Sequence, residues 1–150
     1  EGIFYVDIEF IIKSTVECKD IKFLDLEIYQ YLVGNVNQSV SFQNYVKRYS
    51  HHDKVTRELV SFATNKKLES NSLRRYLDRR VCLLINTHMN ISLIYDKDRR
   101  QGLERAREFR KYLSEANLLY SKLTKKRYYV SLMLHYLRVD YDRLQKLKRK

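Results

Sequence analysis

Phe23-Leu-Asp-Leu-Glu-Ile-Tyr-Gln-Tyr-Leu-Val-Gly34, followed by Asn-Val-Asn-Gln-Ser-Val-Ser41, is the point at which the chain changes character. Ile21 to Leu24 and Ile28 to Leu32 are short runs rich in apolar, β-branched and aromatic residues, which predicts two short strands. Gly34 permits the turn that ends them, and Ser41 is a residue type that caps a helix by accepting from its free N–H groups. Beyond Ser41 there is no proline and one glycine, Gly102, so the usual helix breakers are almost absent. The expected fold is mainly α: a short N-terminal α/β segment over 1–40, then an antiparallel helical bundle of about four helices over 41–150.

Working outward, Asp7 is a candidate N-cap with Glu9 in the first turn, which predicts a first helix over about Ile8 to Cys18 burying Ile8, Ile11, Ile12 and Thr15. A second helix, about Phe42 to Lys66, shows Phe42, Tyr45, Tyr49, His52, Val55 or Thr56, Leu59 and Phe62 at spacings of three and four. A third, about Ser72 to Tyr95, carries Leu73, Leu77, Val81, Leu84, His88, Ile91 and Tyr95 and is apolar on most sides in its middle, so it should be the most buried. The polar stretches Asn65 to Asn71 and Asp96-Lys-Asp98 mark breaks, the latter a cap for the next helix. A fourth helix, about Arg99 to Lys122, aligns Leu103, Ala106, Phe109, Leu113, Ala116 and Tyr120. The fifth, about Lys125 to Lys148, aligns Tyr129, Leu132 or Met133, Tyr136, Val139 or Asp140, Arg143 and Leu147. Short connections between long helices imply antiparallel neighbours.

At 150 residues the chain has one domain's length, and its 44% hydrophobic and 32% charged residues exclude a disordered tail. The opening Glu1-Gly-Ile-Phe-Tyr-Val lacks a starting methionine and reads as a piece cut from a longer protein. Cys18 and Cys82 sit among apolar residues, which predicts reduced, buried thiols, and neither has a CxxC partner. The longest apolar run, Val81 to Ile85, is far too short to cross a bilayer, and the expected location is cytoplasmic. The formal net charge of +12 is uneven: residues 1–40 carry three Lys against seven Asp and Glu, and the remainder carries the whole excess. An acidic front suits a reaction site, and a basic back suits an anionic surface.

The order of acidic helix, strand, Tyr-x-Tyr, glycine and Gln-Ser resembles the segment that follows the catalytic half of bacterial family-two-type, GT-A-like glycosyltransferases. There a pattern such as FLD-x-x-[LIV]-Y-x-Y-x-x-G-x-x-x-QS recurs. The resemblance spans Glu1 to Ser39, about a quarter of the chain. Val6 stands where a second acid or Thr is common, Asn35 where Arg is, and Asn37 where Gly is. The resemblance implies the C-terminal part of an enzyme moving a sugar from a nucleotide-sugar donor to a cell-surface polysaccharide or glycoconjugate acceptor, lipid-linked in many such enzymes. It implies that Asp7 takes the proton from the acceptor hydroxyl, since inverting transfer needs a carboxylate there. It also implies a missing N-terminal nucleotide-sugar domain bearing a strand-end Asp-x-Asp and a divalent metal; this chain carries neither, so no cofactor or metal is assigned to it and it should be inactive alone.

Around Asp7, Gln38 and Ser39 are candidates to contact phosphate or sugar at a helix opening, equally well read as turn and cap residues. Tyr29 and Tyr31 share one strand face and are candidates to stack on a sugar, although strand tyrosines more often pack. The four histidines show no metal spacing, and lone helical histidines are usually core residues. Basic clusters at Lys125, Lys126 and Arg127 and at Lys146, Lys148 and Arg149 suit an anionic membrane surface at the inner face of the cell membrane. The bland reading is solvated helix faces. Two other functional readings stand beside the first: a basic helical module binding nucleic acid, or a structural oligomerisation bundle such as a homodimer.

Overall fold

The computed structural model of the chain describes residues 3–22, 24–27 and 41–143. Well over half of the chain is helical: α1 (Val6–Glu17), α2 (Phe42–Lys47), α3 (Tyr49–Asn65), α4 (Asn71–Asn90) running into a π-helical segment (Ile91–Tyr95), α5 (Arg99–Ala116) and α6 (Leu118–Tyr136). Among the described residues there is no strand. Ile21, Lys22 and Leu24 are irregular and exposed, so the first predicted strand is not formed there; Ile28 to Leu32 and Gly34 lie outside the described residues.

Side-chain caps start four of the helices. Ser41 Oγ accepts from Asn44 N, Ser70 Oγ from Leu73 N, Asp98 Oδ1 from Gln101 N and Asn117 Oδ1 from Tyr120 N. Asp98 is the cap expected of Asp96-Lys-Asp98. Asn117 was not expected: it ends α5 and opens α6, so the break falls there and not between Lys122 and Lys125. The predicted second helix is also two, broken at Arg48 (φ −106°, ψ 28°), whose guanidinium stacks 3.4 Å from the centre of the Phe4 ring. At the other end of α3, Arg74 donates to the carbonyls of Ala63 and Lys66 at 2.9 Å each, satisfying the helix's last acceptors.

One core joins the helices. Val55, Leu59 and Val60 of α3, Leu77, Val81 and Ile85 of α4, and Ala106, Phe109 and Leu113 of α5 are buried together, and Ile12 and Val16 of α1 join them. α4 packs against α1, α3 and α6, which makes it the central helix, as its sequence predicts. On α1 the burial differs from expectation: Ile12 is buried, but Ile11 is half exposed and Val16 takes its place. Cys18, just past α1, is exposed and not buried; Cys82 is half-buried, and burial pushes its thiol up to about 11.

The π-helical segment decides how α5 packs. Its widened turn is buried from Ile91 to Ile94 and turns the Leu93 carbonyl toward His135 Nδ1, 3.0 Å away on α6. Against it lies Gly102, where a Cβ would sit 2.0 Å from the Ser92 carbonyl oxygen. The obstacle is backbone and cannot swing aside, so Gly102→Ala is expected to destabilise the fold by at least about 1–3 kcal/mol. Urea unfolding measures this, and an unchanged midpoint would show that α5 can shift freely.

α6 overturns one expected seam. Tyr129, Met133 and Tyr136 are exposed, while the buried face is Tyr120, Ser121, Thr124, Tyr128, Ser131 and His135. Thr124 and Ser131 can be buried because partners elsewhere satisfy their hydroxyls, and Arg110 also ties down the Ser121 main chain. Arg110 donates to the Ser121 carbonyl (2.6 Å) and to Thr124 Oγ1 (3.3 Å), and Ser131 Oγ donates to Asn90 Oδ1 (2.7 Å). The helix stops at Tyr136, and Arg138 follows with φ 55°.

Candidate functional site

Asp7 is the second residue of α1 and not its cap. The N-cap is Tyr5, at φ 72° and with no side-chain cap bond, held in that left-handed conformation by burial and by stacking on Tyr45 (5.2 Å between ring centres). Asp7 therefore lies within the first turn, where the exposed N–H groups favour a carboxylate. Its side chain faces solvent and makes no ion pair with a described residue, whereas Glu9, also in that turn, pairs with Lys13. Three and four residues on from Asp7 come Phe10 and Ile11, 71% and 50% exposed, and Val6 beside it is half exposed. Asp7 thus stands in an uncovered apolar patch on one face of α1.

The other predicted contacts are not gathered around it. Tyr29, Tyr31, Gln38 and Ser39 lie outside the described residues, as do Lys146, Lys148 and Arg149. Lys125, Lys126 and Arg127 are exposed on α6, which packs on α4, α5 and the π-helical segment, whereas α1 packs on α3 and α4. The two sets occupy different parts of the bundle.

A second cluster, which sequence reasoning missed, lies in the core. His52 of α3 and His88 of α4 are stacked with their Nδ1 atoms 3.1 Å apart, so one imidazole donates to the other and at least one is neutral. His88 Nε2 lies 3.1 Å from Asp53 Oδ1, within pairing distance but off hydrogen-bond geometry, and Arg57 Nε donates to Asp53 Oδ2 at 2.8 Å. Burial pushes His52 down to about 3, with the neighbouring His88 adding to it. Burial likewise lowers His88, outweighing the attraction of Asp53. Burial would raise Asp53, but His88 and Arg57 outweigh it and hold the carboxyl below its usual range. Tyr49 and Phe109 close over His88, which is fully buried, so no substrate reaches the pair. It is a structural polar core, not a catalytic one. No signal in the sequence links residues 36 apart on two helices.

Among the described residues no group of three His, Cys, Asp or Glu is placed to hold a metal ion. No described helix is long and apolar enough to cross a membrane. The chain matches no protein-family model, no curated protein and no solved structure.

Proposed function

We propose that the chain is the C-terminal part of a glycosyltransferase, bringing the acceptor-side base Asp7 to a cleft completed by a nucleotide-sugar domain that packs on α1. The observation that carries this is the surroundings of Asp7. An exposed carboxylate that pairs with no described residue, at the start of a helix and flanked by uncovered Val6, Phe10 and Ile11, suits a face that another domain covers while leaving the acid at the seam. The Tyr-x-Tyr, glycine, Gln-Ser order of residues 29–39 supports the same assignment through its resemblance to sugar transferases. In this reading the donor and its divalent metal are held by the other domain. The chain supplies the base and a rigid helical body, and the acceptor is a polysaccharide or glycoconjugate hydroxyl.

The intact parent enzyme tests this. It should transfer sugar from one member of a nucleotide-sugar panel. Phe10→Glu should weaken packing of the catalytic half by about 2 kcal/mol, the contribution of burying one such side chain, and lower both its melting temperature and its transfer rate. A parent that transfers from no nucleotide sugar, with a Phe10→Glu variant that melts like the wild type, would sink the reading.

A further inference from the structure

α6 is apolar on two opposite sides. Its buried side holds Tyr120, Thr124, Tyr128 and His135, while Leu119, Leu123, Val130, Met133 and, just past its end, Leu137 stand on the other and are exposed; Leu123 and Met133 are 56% and 54% so. Their spacings of four, seven, three and four residues keep them on one face over a length of about 27 Å. Lys126 fills the position between Leu123 and Val130, and Lys122, Lys125 and Arg127 flank the strip. Leu118–Tyr136 contains no Asp or Glu at all. The exposed Tyr129 and Tyr136 lie along the same border as Lys122 and Lys125. The apolar surface continues onto α4, where Leu83 shares a groove of about 380 Å³ with Arg127 and Val130.

We infer that this outer face of α6 is a membrane-interface site that inserts its leucines, Val130 and Met133 among the acyl chains of an anionic bilayer while the four cations meet the lipid headgroups. Charge decides among occupants. A second copy seated on the strip would bring its own Lys126 and flanking cations against these, with no acid on either helix to offset them. Nucleic acid would satisfy the cations and leave five aliphatic side chains in water. An anionic lipid surface satisfies both: the lysine stems run along the apolar strip to headgroup level, and the tyrosines sit at the boundary where amphipathic rings are favoured. Charge alone, as read from sequence, predicts only weak electrostatic attachment; the exposed strip adds an apolar contribution that salt does not screen. The inference does not depend on the sugar-transfer reading, because Asp7 lies on a different part of the bundle.

The experiment is flotation of the full chain with vesicles of pure phosphatidylcholine and with vesicles rich in phosphatidylserine, at low and high salt. The chain should float with the anionic vesicles and not with the neutral ones, with part of the binding surviving high salt. Leu123→Ser and Met133→Ser alter exposed side chains and should leave the circular dichroism spectrum unchanged. Each should lower the partition coefficient about tenfold, and Lys126→Glu should abolish the preference for anionic lipid. Equal behaviour with both vesicle types, or anionic binding untouched by the two serine variants, overturns the inference. So does a dimer in sedimentation velocity that Leu123→Ser dissociates, which would assign the strip to a second copy, or binding of an RNA oligomer that replaces vesicle binding.

Discussion

With Asp7 as the base of the proposed sugar transferase, Asp7→Asn in the intact protein is expected to lower turnover by about 10²–10⁴-fold, the usual contribution of a positioned general base. The amide keeps the size and the polarity of the side chain but takes no proton from a hydroxyl. Asp7 is exposed and no described residue pairs with it, so the substitution removes no ion pair with a described residue and opens no cavity. What it removes structurally is the interaction of a carboxylate with the first turn of α1, worth about 0.3–1 kcal/mol. The two roles therefore separate by size and by observable. A base gives a large loss in kcat with an unchanged nucleotide-sugar Kd and nearly unchanged melting. A helix-start carboxylate gives a melting temperature lowered by a few degrees at most, with turnover intact. Asp7→Glu sharpens the distinction: it retains the charge at the helix start but moves the oxygens outward by a methylene, so helix stability survives while turnover still falls, since misplacement of a reacting group by about 1 Å is itself costly.

Helix positions were legible where the apolar period and the caps agreed. α4 shows its buried face in Leu77, Val81, Leu84 and His88, and Asp98 announces α5 by residue type and position. What the sequence hid was tertiary in origin. Asn117 lies in Ala-Asn-Leu-Leu, which reads as helix interior; it acts as a break because its side-chain Oδ1 accepts from Tyr120 N while its Nδ2 donates to Thr64 Oγ1 on α3 at 2.9 Å. The inner face of α6 was misread because period analysis assigns Tyr129, Met133 and Tyr136 inward and Ser and Thr outward. Arg110, Asn90 and the Leu93 carbonyl reverse that preference by meeting the polar groups inside. The candidate base was named from residue order, but its apolar surroundings follow only from which face of α1 meets α3 and α4. His52 and His88 each look like a single core histidine, and nothing local says that they meet.

That meeting makes the fold acid-sensitive. Both imidazoles are held below their ordinary pKa by burial, His52 at about 3, so below about 6.5 the unfolded chain binds protons that the folded chain refuses. Stability therefore rises with pH through this range and is lost as pH falls below about 6.5. His52, neutral in the fold over this range, contributes up to about 1.4 kcal/mol per pH unit, so moving from pH 7.5 to pH 5 should remove about 2 kcal/mol on its account, with His88 acting in the same direction, against the 5–15 kcal/mol typical of a domain. The window lies above the ordinary range of carboxyl titration, which separates this loss from general acid denaturation; Asp53 is held low and does not titrate within it. Urea unfolding at half-unit pH intervals measures the slope. His52→Gln should lower stability at pH 7.5, because the stacked pair is broken, and should reduce the slope below pH 6.5. A flat stability between pH 6.5 and 5 in the wild type would mean that the core opens far enough to hydrate the rings. An unchanged slope in the variant would place the responsible protons on some group other than this pair.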